Sequence, residues 1–323
     1  MPVISPSSYQ RPFFLFNGHL ETVYPAIFRN VNSIPPFERE RISTPDDDFL
    51  DLDWLRADSK KLLVISHGLE GDSQRPYMRG MASTFFNDNW DVLAWNFRTC
   101  SGEMNLSKTM YHSGFTADLE TVVKHAIGKG YEEITLVGFS LGGNLTLKYL
   151  GEEQSHKHPE IKSAVVISVP FHLNSSGKML AQPENILYVR RFLKSLKKKA
   201  LEKEKQFPGM INIDALNSIH SIFDFDDMIT APLNGFEGAE DYYTRCSGRN
   251  FLNSIKIRTL VVNAMNDSFL STECLDHSLF ENLENVYIET PEHGGHVGFS
   301  MFDGTEQYWS EKRAIEFVND ERE

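Results

Sequence analysis

Short apolar runs recur along the chain, each closed by a turn: residues 62–65, 92–97, 134–137, 164–169, 259–264 and 286–289. They are rich in β-branched residues and lack polar alternation, which suits strands buried on both faces of a parallel sheet. Segments of helical period lie between them. Residues 117–127 place Leu119, Val122, Val123 and Ala126 on one face, 141–150 follow the third run directly, and 311–318 lie near the end. Strand alternating with helix predicts an α/β architecture with a mostly parallel central sheet flanked by helices.

Two stretches depart from this rhythm. Residues 1–36 are rich in Pro and aromatics and read as an irregular arm over the body. Residues 37–43 and 48–55 then read as an antiparallel pair, the second alternating apolar and polar as a half-buried strand does. Residues 171–254 show helical charge patterns but no strand of comparable quality, and they are too long for a simple connection. The expected division is a core of residues 1–170 including the arm, a mainly helical cap insertion at 171–254, and a second core part at 255–323.

Composition narrows the function. The formal net charge of −13 disfavours nucleic acid as a partner, because a phosphate backbone would be repelled. The basic stretch 193–199 continues into Glu202 and Glu204, and reads as a solvated helix face, with an anionic lipid surface as the sharper alternative. Cys100, Cys246 and Cys274 are far apart and match neither a disulfide framework nor a zinc site. The first 28 residues mix Arg11, Asn17, His19 and Glu21 among apolar ones, unlike a signal peptide. No uninterrupted apolar run is long enough to cross a bilayer. A cytoplasmic protein is expected, with peripheral membrane contact allowed by the sequence but not indicated by it.

The strongest chemical signal is Gly138-Phe139-Ser140-Leu141-Gly142, set between a strand and a helix. A serine on such a sharp turn is pushed out of the sheet, and the positions two before and two after it must be small. A hydroxyl is a poor nucleophile until a base takes its proton. On this kind of elbow the partners follow in the order acid, then histidine. His296, in the Gly-rich loop after the last strand, is the favoured base, with His293 as the alternative. Asp267 is the only carboxylate in the turn after residue 264, while Asp276 lies further on. The backbone N–H groups of Leu69 and Leu141 are the expected oxyanion donors. His67 precedes the serine and is assigned to shaping its loop. Asn96-Phe97-Arg98 and Met110-Tyr111-His112-Ser113-Gly114 are read as holding loops, with lining of the pocket as the alternative, and no catalytic role follows from residues 16–20.

Together these motifs resemble the YheT-like branch of the α/β-hydrolases, which includes eukaryotic abhydrolase-domain esterases and lipases. The matching residues include Asn17-Gly18-His19-Leu20-Glu21-Thr22, His67-Gly68-Leu69-Glu70-Gly71, Tyr111-His112-Ser113-Gly114, Asp241-Tyr242-Tyr243 and Gly294-Gly295-His296-Val297-Gly298-Phe299. The resemblance implies the α/β-hydrolase fold, an esterase or lipase-like activity, and a triad at Ser140, Asp267 and His296. Two departures stand out. Asn266-Asp267-Ser268 replaces the family's frequent Asp-Asp-Pro, and Thr99 stands where a Gly is common. The eukaryotic relatives carry an N-terminal membrane anchor that this sequence is not expected to have.

The expected function is a serine carboxylesterase acting on small-molecule acyl esters, with no metal or cofactor required. A transacylase or thioesterase would use the same triad, and a catalytically silent binding protein on this fold is the alternative from another class.

Overall fold

The computed structural model describes residues 2–320. Its strands are β1 (Val3–Ile4), β2 (Glu38–Ser43), β3 (Phe49–Leu55), β4 (Lys61–Ser66), β5 (Asp91–Asn96), β6 (Glu133–Phe139), β7 (Ile161–Ile167), β8 (Arg258–Val262) and β9 (Val286–Glu289). They form one sheet in the order β1-β9-β8-β7-β6-β4-β5-β3-β2. Adjacent strands are parallel except where β3 meets β2 and β5, so β3 alone runs against the rest.

The helices are α1 (Gly18–Phe28), α2 (Pro76–Phe86), α3 (Thr116–Gly128), α4 (Leu141–Gly151), α5 (Leu173–Leu180), α6 (Ile186–Gln206), α7 (Ile213–Leu216), α8 (Ile222–Phe225), α9 (Ala231–Leu233), α10 (Ala239–Cys246) and α11 (Trp309–Asn319). Successive residues of a strand point to opposite faces, and each face here meets its own core. Leu62, Val64, Leu136 and Val166 pack with Leu119 and Val122 of α3 and Leu145 of α4. Leu63, Ile65, Val137 and Val165 pack with Met78 and Met81 of α2 and Phe317 of α11. That double burial is why the strands read as continuous apolar runs. Truncating one such side chain, as in Leu63→Ala, costs about 2–5 kcal/mol.

Helices α5 to α10 all lie between β7 and β8. Part of this stretch has its own apolar centre, where Val189, Leu193, Leu196 and Ala200 of α6 meet Leu216, Ile222 and Phe225. Among the described residues, no helix is long and apolar enough to cross a membrane.

Three expectations are corrected. The first 36 residues are not irregular throughout: β1 extends the sheet beyond β9, with Val3 opposite Ile288, and Gly18–Phe28 form the helix α1. Asn17 starts α1 by accepting the Leu20 N–H at 2.9 Å, which outweighs the helix-breaking tendency of Pro25. Strand β3 is buried along its whole length rather than on one face. Its polar side is covered from edge strand β2, where Arg39 forks onto Asp53 and Arg41 onto Asp51. Finally, the basic run on α6 is not uniformly solvated. Lys194 and Lys198 are exposed, but Lys199 bonds Glu70 at 2.8 Å and Lys203 is fully buried on the Asn105 and Ser107 carbonyls.

Candidate active site

Ser140 sits between β6 and α4 with φ 52° and ψ −118°. A non-glycine residue held in that region costs about 1–3 kcal/mol, and such strain is characteristic of functional turns. The turn closes only because two positions lack side chains. A Cβ on Gly138 would lie 2.5 Å from the Gly142 carbonyl oxygen, and one on Gly142 would lie 2.5 Å from the carbonyls of Ser66 and His67. The elbow is therefore wedged against the end of β4 as well as against itself.

Asp267 and His296 come from the loops after β8 and β9, and they meet Ser140 there. His296 Nε2 is 2.9 Å from Ser140 Oγ, and His296 Nδ1 is 2.8 Å from Asp267 Oδ2. The other oxygen of Asp267 accepts the Phe269 N–H at 2.9 Å, so this buried carboxylate is held at both ends. With Nδ1–H donated to Asp267, Nε2 is left to accept the serine proton. The Phe269 ring lies 4.2 Å from that of His296, centroid to centroid. His293 does not reach Ser140; its nearest charged partner is Glu292, at 3.9 Å. Asp276 caps a short turn, accepting the Ser278 N–H.

Leu141 opens α4, so its N–H points out of the helix start beside Ser140. Leu69 lies in the turn after β4, where the Gly71 N–H bonds the Gly68 carbonyl at 3.0 Å and Glu70 has φ 54°. This turn abuts the elbow: a Cβ on Gly68 would be 3.3 Å from Ser140 Cβ. His67 is buried, and burial pushes its imidazole down to about 3. Its Nε2 accepts the Phe97 N–H at 3.1 Å, so its proton is on Nδ1, bonded to the Gly68 carbonyl at 2.7 Å. His67 thus shapes the loop as a neutral ring.

Glu70 is the anchor of that turn. Its carboxylate accepts from Tyr111 Oη at 2.7 Å, from Lys199 Nζ at 2.8 Å and from the Ser195 hydroxyl, while its own N–H bonds Tyr111 Oη at 2.9 Å. Lys199 and Ser195 belong to α6, so the insertion between β7 and β8 grips the Leu69 turn directly. The carboxylate beside Lys199 helps hold its ammonium above the usual lysine range despite burial.

Sequence reasoning gave α1 no role in the site, yet α1 braces both partner loops. Thr22 Oγ1 accepts the His296 N–H at 2.8 Å. Buried Glu21 accepts from Asn266 Nδ2 at 2.6 Å, and Asn266 Oδ1 accepts the Gly295 N–H at 3.0 Å. Burial raises the Glu21 carboxyl, and the bond from Asn266 pulls it back toward the charged form. Asn266, where the family often has Asp, can donate as well as accept, and it uses both capacities. The signal in the sequence was the capping Asn17 followed by polar side chains at one helical spacing.

The remaining motifs hold structure. Asn144 donates to the carbonyls of Ser113 and Cys246, both at 2.9 Å, and the Ser113 N–H bonds Tyr242 Oη at 2.9 Å, tying α10 to α4. Arg98 is buried among Asp46, Asp48 and Asp118.

Ser140 and His296 face a cavity of about 360 Å³. Val23, Ala26 and Ile27 of α1 line it, with Leu69, Leu180, Phe192 and Phe269. A more open groove of about 590 Å³ runs behind Asp267, but neither Ser140 nor His296 reaches it.

A family model for the alpha/beta hydrolase fold matches residues 61–195. The chain is similar to the Escherichia coli (strain K12) protein YheT, which bears an esterase name: 36% identity, covering 94% of this chain and 90% of that one. It is also 28% identical to the phospholipase ABHD3 of Bos taurus, covering 86% of this chain and 73% of that one. The solved structure of the Pyrococcus furiosus esterase Pf2001 superposes with a TM-score of 0.58 at 19% identity, covering 90% of this chain and 95% of that one. The chain therefore has the α/β-hydrolase fold, is an esterase- or lipase-type hydrolase, and belongs to the YheT-like esterase family.

Proposed function

We propose that this protein is a serine carboxylesterase, with Ser140 as nucleophile, His296 as general base and acid, and Asp267 as the group that orients the imidazole. The observation that carries this reading is His296 bridging Ser140 Oγ at 2.9 Å and Asp267 Oδ2 at 2.8 Å at the wall of an apolar cavity.

Ser140 Oγ attacks the ester carbonyl as its proton passes to His296 Nε2. Asp267, bonded to Nδ1–H, stabilises the imidazolium that forms. The carbonyl oxygen becomes an oxyanion and is met by the N–H groups of Leu69 and Leu141, each such donor being worth about 2.7–4 kcal/mol in the transition state. His296 then protonates the leaving alkoxide, the C–O bond breaks, and the acyl group stays on Ser140. Water enters, loses a proton to His296 and attacks the acyl-enzyme; Ser140 leaves with that proton, and the acid is released.

The helices of residues 171–254 act as a cap in this reading. Leu180, Tyr188 and Phe192 from that stretch join α1 in lining the cavity, and this surface suits the hydrocarbon part of an acyl ester. The test is turnover of a panel of chromogenic esters of rising acyl length. Hydrolysis should rise with chain length and fall once the chain outgrows the cavity, and Ser140→Ala should lower every rate by about four to six decades. Rates in Ser140→Ala that match the wild type end the assignment.

A further inference from the structure

Large apolar side chains are exposed on and beside the two helices, α1 and α6, that line the cavity. Phe13 is 90% exposed, Phe28 65% and Ile27 63% on the α1 side, and Leu187 is 72% exposed at the start of α6. On the α1 side Phe13 and Phe28 belong to one cluster of rings: Phe14 meets Phe13 and Tyr24 edge-on and Phe302 at a tilt, at centroid distances of 5.6, 5.7 and 5.3 Å, and Tyr24 meets Phe28 at 5.2 Å. Ile27, the neighbour of Phe28 on α1, and Arg191 of α6 are both exposed and both border the cavity, so α1 and α6 flank one opening, with the aromatic cluster on the adjoining face of α1. Contiguous apolar surface of this kind on a folded protein marks an interaction site.

The charge beside it has a definite sign. Buried positions of α6, Val189, Leu193, Leu196 and Ala200, fix which face turns outward. That outer face carries Leu187, Arg190, Arg191, Lys194 and Lys198. Arg190, Arg191 and Lys194 have no carboxylate within ion-pair distance among the described residues, so their charges are available. The chain as a whole carries −13, so a local basic strip beside exposed aromatics runs against the overall charge. A basic amphipathic helix face next to exposed aromatic rings is what settles at the headgroup level of a membrane.

We propose that the collar formed by the α1 aromatic cluster and the outer face of α6 docks on an anionic lipid surface, with the cavity mouth facing the bilayer. The aromatic and aliphatic side chains enter the acyl boundary, and the arginine and lysine heads meet the phosphates. Docking stands on the surface alone; that it delivers membrane-held acyl esters to Ser140 rests on the proposed function.

Co-sedimentation of the full chain with vesicles tests this. Wild type should bind vesicles of phosphatidylcholine mixed with phosphatidylglycerol, and bind pure phosphatidylcholine at least about tenfold more weakly, with binding weakened by salt. Arg190→Glu with Lys194→Glu should lower the partition coefficient at least about tenfold, and Phe13→Asp with Leu187→Asp should do so independently. None of these four residues lines the cavity. Both variants should therefore keep wild-type turnover of a short soluble ester and wild-type melting, so a folding defect is told apart from lost docking. No binding to the mixed vesicles, or equal binding to both kinds, overturns the proposal. A concentration-dependent dimer in sedimentation velocity that Phe13→Asp with Leu187→Asp dissolves also overturns it, by assigning the face to a second copy. Vesicle binding without any ester turnover leaves docking standing and removes the esterase reading instead.

Discussion

Thr22 Oγ1 accepts the backbone N–H of His296 at 2.8 Å while donating its own proton to the Gly18 carbonyl at 2.7 Å. One side chain on α1 thereby fixes the height of the histidine loop above the elbow. Thr22→Val keeps the shape but leaves that N–H without a partner, at a cost of about 1–3 kcal/mol. Ester turnover by Thr22→Val should show kcat reduced about 10- to 100-fold with KM little changed, since a small misplacement of the base suffices for that, and Thr22→Ser should restore most of it. Equal kcat in Thr22→Val and wild type would remove the bracing role.

Lys199 neutralises Glu70 behind the Leu69 turn. Lys199→Met leaves a carboxylate buried against Tyr111 without its cation, which should destabilise the protein by about 3 kcal/mol. Chemical denaturation should show this as a lower midpoint with unchanged slope. Glu70→Gln in the same background should recover much of the loss, because the stranded charge is gone. If the double variant is no more stable than Lys199→Met alone, the pair is not the anchor described.

His67 and His112 are buried, and burial pushes both imidazoles down to about 3 from an ordinary value of 6.5. Below pH 6.5 the unfolded chain takes up protons that the native state refuses, so stability falls as pH falls from 6.5 toward 3. Each histidine contributes a slope of about 1.4 kcal/mol per pH unit in that window. Urea unfolding between pH 7 and pH 4.5 should reveal it. His112→Asn, whose amide oxygen can still accept the Gly114 N–H now bonded to the His112 ring at 3.1 Å, should remove about half of the slope attributable to the pair.

Thr99 has φ 69°, and its hydroxyl is buried without a hydrogen-bond partner among the described residues. A β-branched residue in the left-handed region carries strain of about 1 kcal/mol, which a glycine there would not. Thr99→Gly should stabilise the protein by about 1 kcal/mol and raise its melting temperature by about 2 °C. A lower melting temperature would mean the side chain packs better than its backbone angle suggests.

The sheet was legible because strands such as β4 and β6 are buried on both faces, so composition alone marks them. The elbow was legible because its strain requires glycine at two fixed offsets from Ser140. Helix α1 was not, since Pro25 and dense aromatics mask its period and its cap is a single side chain. Strand β3 misled for a different reason: alternating aspartates look solvent-facing until Arg39 and Arg41 from the neighbouring strand cover them. The two faces of α6 were equally hidden, because Lys199 and Lys203 differ from Lys194 and Lys198 only in what packs against them. The anchoring role of Glu70 was hidden in its motif because its partners, Tyr111, Ser195 and Lys199, come from distant segments.

The most direct test of the central claim is to mix the enzyme with a chromogenic ester, quench it early in the first turnover, and locate the acyl group by peptide mass spectrometry. The acyl mass should sit on Ser140, appear with the burst of released alcohol, and be absent from His296→Ala quenched at the same time. An acyl group on any other residue, or steady turnover by Ser140→Ala with no adduct, would contradict it.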